Sequence, residues 1–198
     1  MLFQKMANKV EELKAITQQI LQNPRRLSTL LEEKSPWLGE QVRKELLSAA
    51  SNFSDPFLVG MGLQIEKMNE DGLEVRLPQR WKNSAGGGFV HIGALCAAAE
   101  FTSRVYWERH LNPAGCESRV VNLQCHFLRA AQNSIKIIYH IGDAEREALL
   151  FRVRNEESVS FESLVVIYDD EEQLICEATI DWNFRRKNIL GSGSNEFA

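Results

Sequence analysis

The sequence predicts an α+β fold in which helices are segregated from an antiparallel sheet. Residues 1–52 carry the spacing of amphipathic helices, and the chain from Phe57 onward carries hairpin signals. One long alanine-rich helix, from about His91 to Leu111, interrupts the run of strands. A doubly wound fold would need alternating strand and helix units, and a lipocalin-like barrel would lack the central helix.

In the first segment Val10, Leu13, Ile16 or Thr17, Ile20 and Leu21 recur every three or four residues, the stripe of a helix with one apolar face. Asn23-Pro24 stops it, because proline disfavours the helical conformation in the residue before it. A short helical piece follows around Leu27, Leu30 and Leu31. Ser35-Pro36 then supplies a cap and a first-turn proline for a helix through Ala50.

The strand region opens with Gly62–Met68 and Leu73–Leu77 around the turn Asn69-Glu-Asp-Gly72, and Pro78 ends the second strand. A loop with Asn83 and Gly86-Gly-Gly88 leads into the alanine-rich helix, which Asn112-Pro113-Ala-Gly115 ends. Val121, Leu123, Cys125 and Phe127 alternate with Asn122, Gln124 and His126, which predicts that the first set faces the core. Asn133–Ile141 is its hairpin partner after the Ala130-Ala-Gln turn. Asp143–Arg154 reads as a helix with Asp143 as N-cap and Leu149, Leu150 and Val153 on one side. Ser158–Tyr168 and Gln173–Phe184 form a last hairpin, with Leu174, Cys176, Ala178, Ile180, Trp182 and Phe184 on one face. This divides the chain into a helical extension (1–52), a core domain (53–187) and a flexible Gly/Ser-rich tail (188–198).

The 198 residues are 44% hydrophobic and 25% charged, the balance of a globular domain that needs no metal or disulfide staple. A net charge of −4 gives no reason to expect nucleic acid. Residues 1–50 hold eight Lys/Arg against six Asp/Glu, too balanced for a DNA-reading helix pair. No apolar stretch approaches the roughly 20 residues that span a bilayer. The N-terminus has no secretory pattern, so a soluble cytoplasmic protein is expected. Cys96, Cys116, Cys125 and Cys176 form no CxxC pair and read as small buried hydrophobes. His91, His110, His126 and His140 show no metal-ligand spacing, so no metal site is expected.

Chemistry concentrates in Trp81-Lys-Asn83-Ser-Ala-Gly-Gly-Gly-Phe-Val-His91-Ile-Gly93-Ala-Leu-Cys-Ala-Ala-Ala-Glu100. A histidine and a glycine stand where the helix begins, and a carboxylate follows nine positions after the histidine. Helix starts present unbonded N–H groups and the positive end of a dipole, which suit a developing oxyanion. At about 100° per residue, nine positions turn the helix through roughly 180°, so Glu100 points away from position 91. Each residue also has a plain structural reading. Glu100 can be a half-exposed glutamate bonded to a neighbour, and His91 a helix-start residue with a structural hydrogen bond. Asn83 can be a turn residue, Gly86–Gly88 a flexible loop, and Thr102 and Ser103 packing residues. No GK[ST] follows the glycines and no GxSxG is present, which disfavours a P-loop and a serine hydrolase.

The stretch resembles the hotdog-fold acyl-CoA thioesterases of the phenylacetic-acid-degradation type, which carry Asn, then His-Gly-Gly-Ala, then Asp or Glu nine residues after the His. Phe57 to Glu100 is closer to the DUF4442 branch of that superfamily, in its aromatic–proline opening, Gly-Leu-x-Ile strand, Trp-x-Asn and glycine-rich run. The resemblance covers about residues 53–185 and implies a hotdog fold, a curved antiparallel sheet wrapped around a long central helix.

It implies hydrolysis of acyl-CoA or a related acyl thioester, with no cofactor beyond the coenzyme A of the substrate. Gly93 would carry the oxyanion N–H, with Glu100 as base or nucleophile, Asn83 positioning water and His91 beside them. Ile92, which replaces the first glycine of the motif, would contact substrate together with Gly88, Thr102 and Ser103. The family assembles such sites from two chains, so a homodimer or dimer of dimers is expected. Arg119 and Arg129 are candidates for the coenzyme phosphates, though solvated surface positions suit them as well. The alternatives are a non-catalytic acyl- or lipid-binding module of the same fold, in which Ile92 and the N-terminal helices are turned to binding or regulation, and an acyl-dependent transcriptional regulator, which the weak charge of residues 1–52 disfavours.

Overall fold

The structure is a computed structural model that describes residues 44, 45, 48, 55, 57–111 and 115–186. The expected helices before residue 44, the Asn112-Pro113 stop and the tail lie outside the described residues. The elements are β1 (Gln64–Met68), β2 (Gly72–Leu77), α1 (Ile92–Leu111), β3 (Cys116–Phe127), β4 (Ile135–His140), α2 (Asp143–Asn155), β5 (Ser158–Asp169) and β6 (Leu174–Arg186). The strands form one sheet in the order β1-β2-β4-β5-β6-β3, with every neighbouring pair antiparallel.

The sheet wraps α1, which touches β2 through β6. Eleven of its 20 residues are buried, among them Ala94, Leu95, Ala98, Ala99, Phe101, Tyr106 and Trp107. Burial on most sides leaves a narrow polar stripe, Glu100, Arg104 and Glu108, at four-residue spacing, and the alanines let the strands approach closely. The strand residues facing it alternate as the pleat requires: Leu73, Val75 and Leu77 on β2; Ile135, Ile137 and Tyr139 on β4; Val165 and Ile167 on β5; Cys176, Ala178, Ile180, Trp182 and Phe184 on β6. Each fully buried large side chain contributes roughly 1.5–3 kcal/mol.

Four expectations are corrected. Asn133–Ile141 is not the hairpin partner of β3: β4 pairs with β2 and β5, and β3 pairs with β6 at the far edge of the sheet. Val121 is not a core residue, and Phe127 at the end of β3 is 39% exposed. A bulge between Val120 and Asn122 leaves Val121 without a partner on β6, so Val120 faces Trp182 and Val121 is 69% exposed. One inserted residue reverses the facing of the strand before it, which period-two reading cannot see. The first strand begins at Gln64 rather than Gly62: residues 57–61 form turns, and Gly60 and Gly62 take φ of 87° and 75°. Gly142, not Asp143, stands at the N-cap of α2, without a side-chain cap; Asp143 lies inside the first turn, 2.7 Å from Arg146 Nη2.

The sheet has two edges. At β1, the Ile65 N–H donates to Ser48 Oγ at 2.9 Å, and that hydroxyl donates to the Lys44 carbonyl. Among the described residues no strand lies outside β3.

Candidate active site

The loop between β2 and α1 is closed on itself before it reaches the helix. Trp81–Asn83 form a single 3-10 turn. Ser84 then bridges to Val90, and the Ala85 N–H donates to the Phe89 carbonyl at 2.7 Å. Gly87 and Gly88 take φ of 87° and 83°, which side chains rarely adopt. The His91 N–H donates to the Asn83 carbonyl at 2.7 Å, and the Val90 N–H to the Ala131 carbonyl at 2.8 Å. Asn83, His91 and the start of α1 are thereby held as one unit. Gly88 itself is exposed at the loop tip, its carbonyl accepting from Gln79 Nε2.

Asn83 is fully buried, unusual for an amide side chain. Its Nδ2 donates to the Met61 carbonyl at 2.8 Å and to the Pro78 carbonyl at 2.9 Å. Its Oδ1 has no hydrogen-bond partner among the described residues. Such an acceptor is costly in an apolar setting and is an open position for a donor.

Gly93 is the second residue of α1, and its N–H donates to His91 Nδ1 at 3.0 Å. His91 therefore caps the helix through its ring. Asn83, His91 and Gly93 together line a cleft of about 350 Å³ with Phe57, Met61, Lys82 and Ala94. The Lys82 ammonium donates to the Val59 carbonyl at its side. A second cleft, of about 590 Å³, lies across His91. It is walled by Phe89, Val90, Ile92, Leu95, Phe127 and Leu128, with Arg129 present. Ile92 is 59% exposed and presents an apolar surface there. Arg129 donates to Gln173 Oε1, and Arg119 points outward on β3.

Glu100 stands apart from both clefts. Its side chain is 26% exposed and its Oε1 lies 2.9 Å from Arg104 Nε. Arg104, only 17% exposed, also lies 3.6 Å from Asp55 and from Glu108. Burial pushes the Glu100 carboxyl up from its ordinary value; Arg104 opposes the shift, while Asp55 and Glu108 add to it. Thr102 and Ser103 are wholly buried, and their hydroxyls bond to helix carbonyls: Thr102 to Ala98 at 2.7 Å, Ser103 to Ala99 and Glu100 at 3.5 and 3.3 Å. Neither lines either cleft of this chain.

Of the residues singled out in the sequence, one chain thus brings together Asn83, His91 and Gly93, with Ile92 on the far side of the histidine. Sequence reading missed Arg104, although its spacing of four from Glu100 was visible. It also missed Phe57, Met61 and Lys82, which loop geometry alone brings in. It did not see that Cys96 Sγ lies 3.5 Å from Cys125 Sγ either; all four cysteines are free. Among the described residues no group of three His, Cys, Asp or Glu could hold a metal ion, and no helix is long and apolar enough to cross a membrane.

A family model described as "Domain of unknown function (DUF4442)" matches residues 43–184. The chain belongs to the DUF4442 family. No curated protein matches it in sequence. Solved structures show what this DUF4442 chain is similar to in fold. PA5026 of Pseudomonas aeruginosa, a protein of unknown function described as a probable thioesterase, superposes with a TM-score of 0.65 at 18% identity, over 71% of this chain and 94% of that one. The thioesterase HI1161 of Haemophilus influenzae gives 0.56 at 16% identity, over 76% and 94%. OLEI01261 of Chlorobaculum tepidum TLS, of unknown function, gives 0.61 at 20% identity, over 73% and 97%. The DUF4442 chain therefore has the hotdog fold.

Proposed function

We propose that the chain hydrolyses acyl thioesters, acyl-CoA among them, at a site shared by two copies of itself. The observation that carries this reading is the Gly93 N–H at the start of α1, in a cleft that Asn83 and His91 also line. An N–H of the first helical turn has no intrahelical acceptor and lies at the positive end of the dipole. It is suited to the oxyanion that forms when water adds to a thioester carbonyl.

Asn83 holds the loop that positions the attacking water, and Glu100 of the partner subunit takes that water's proton. The tetrahedral intermediate collapses with cleavage of the carbon–sulfur bond. Protonated Glu100 returns its proton to the leaving thiolate, giving a carboxylic acid and coenzyme A. The apolar cleft along Ile92, Leu95 and Phe127 suits an acyl chain. No metal or redox group enters these steps, and coenzyme A arrives as part of the substrate.

The second copy is needed because Glu100 lines neither cleft of its own chain. The outer edge of β3 is the face we assign to it. No described strand covers that edge, and Val121, Phe127, Leu128 and Ile92 leave apolar surface exposed near it. Four free thiols suit a reducing compartment such as the cytoplasm.

A second reading, a non-catalytic module that binds acyl groups, is favoured by Ile92 and by the ion pair that holds Glu100. Steady-state hydrolysis across a chain-length panel of acyl-CoAs separates the two. Turnover by the native chain that falls in Glu100→Ala supports the hydrolase. An equal, negligible rate for both on every thioester, with acyl binding retained, selects the binding module.

A further inference from the structure

His91 Nδ1 occupies the very donor that the proposed chemistry needs. The Gly93 N–H lies 3.0 Å from it, and an acceptor nitrogen carries no proton, so the ring is the neutral tautomer protonated at Nε2. The ring closes tightly over the glycine: a Cβ at position 93 would come within 3.0 Å of Nδ1 and 3.3 Å of Cε1. The same histidine is the residue common to the linings of both clefts. It is therefore both the acceptor that holds the oxyanion donor and the partition between two spaces.

We propose that His91 is a displaceable partition that selects ligands with an internal carbonyl. A carbonyl oxygen takes the place of Nδ1 on the Gly93 N–H, the ring moves aside, and the clefts join into one channel past the helix start. A thioester has a substituent on each side of its carbonyl and fills both arms, one along Phe89, Leu95 and Phe127, the other past Phe57 and Lys82. A free fatty acid has one arm only, so it occupies the apolar cleft with the histidine in place. The inference rests on reading Gly93 as the oxyanion donor, and it adds a residue that decides which acyl compounds reach that donor.

The test is nuclear magnetic resonance of the full chain, with backbone and histidine nitrogens labelled, against two probes of equal acyl length. One is a non-hydrolysable ketone analogue of an acyl-CoA, with a methylene between sulfur and carbonyl; the other is the free fatty acid. The analogue is expected to move the His91 Nδ1 resonance away from its hydrogen-bonded position while the Gly93 amide stays bonded; the fatty acid leaves Nδ1 where it was. His91→Ala is expected to shift the Gly93 amide without any probe and to bind the analogue roughly fivefold tighter, since no cap has to be broken. His91→Asn, whose side chain also caps helices, keeps both properties near those of the native chain. Binding of the analogue with Nδ1 undisturbed, or a Gly93 amide indifferent to His91→Ala, overturns the partition and leaves the thioester reading standing. Failure of the analogue to bind either the native chain or His91→Ala, with the Gly93 amide still responsive to the substitution, sinks the thioester reading and the ligand selection with it.

Discussion

Glu100 Oε1 and Arg104 Nε, one helical turn apart on α1, are joined at 2.9 Å. The pair sets opposing influences on the proposed base. Burial favours the neutral acid, and Arg104 favours the carboxylate. Because the folded carboxyl titrates above its ordinary value of 4.5, Glu100 contributes stability that is present below that value and is lost as pH rises through the folded pKa. A base must be ionised, so hydrolysis is expected to rise with pH over a window above 4.5. Glu100→Gln is expected to lower kcat by roughly a hundred- to ten-thousand-fold while leaving the thermal midpoint at neutral pH no lower than native. Arg104→Gln removes the opposing charge, so the acid limb of its pH–rate profile should move to higher pH. An unchanged profile in Arg104→Gln would show that the ion pair does not act on the base.

A site divided between two copies can be rebuilt from two broken chains. Glu100→Gln lacks the proposed base, and Gly93→Val puts a side chain against His91, where the proposed mechanism seats the carbonyl. Each variant alone is expected to be inactive. Unfolded and refolded together in equal amounts, half of the dimers are mixed and each mixed dimer holds one intact site, giving about a quarter of native activity. Inactivity of the mixture, with mixed dimers verified by mass, would place Glu100 and Gly93 in the same chain's site. Val121→Lys, at the bulge on the outer strand, is expected to shift the sedimenting species from dimer to monomer by burying a charge at the joined edges.

Much of this arrangement was legible before any coordinates. The alanine-rich stretch set α1, and Asn69 to Gly72 set the first hairpin, because local turn chemistry and helix spacing act over a few residues. The facing of β3 was not legible, since the bulge at Val121 depends on its pairing with Trp182 and Asp181 of β6. At the site, His91, Gly93 and Asn83 could be named from the resemblance of their motif to the hotdog thioesterases. That the imidazole would hold the Gly93 N–H could not, because it is a rotamer choice rather than a pattern. Nor could the burial of Asn83, whose amide bonds two carbonyls that lie 22 and 5 positions away.

Those two bonds make Asn83 a structural clamp as well as a candidate site residue. Asn83→Ala removes both donors and leaves the Met61 and Pro78 carbonyls without them. A loss of about 2 kcal/mol is expected, read as a lower urea midpoint with an unchanged slope. Asn83→Asp keeps the volume but offers those carbonyls a carboxylate, and it should destabilise at least as much at neutral pH. If Asn83→Ala lost thioesterase activity with no change in the urea midpoint, the clamp would be unimportant and the residue's role purely chemical.

A buried polar chain on the far side of α1 supplies the last expectation. Trp107 Nε1 donates to Ser163 Oγ at 3.1 Å, and Ser163 Oγ lies 3.5 Å from the Tyr139 hydroxyl, all three residues being wholly or almost wholly buried. Ser163 is the one hydroxyl of β5 that faces the helix, between Phe161 and Val165, and it gives the indole N–H its acceptor. Ser163→Ala deletes that acceptor in a dry core, where an unsatisfied donor costs about 2 kcal/mol. For a domain of this size the thermal midpoint should fall by roughly 4–8 °C. Ser163→Thr keeps the hydroxyl and should recover part of the loss. Equal midpoints for Ser163→Ala and the native chain would show that the Trp107 indole finds another partner when β5 offers none.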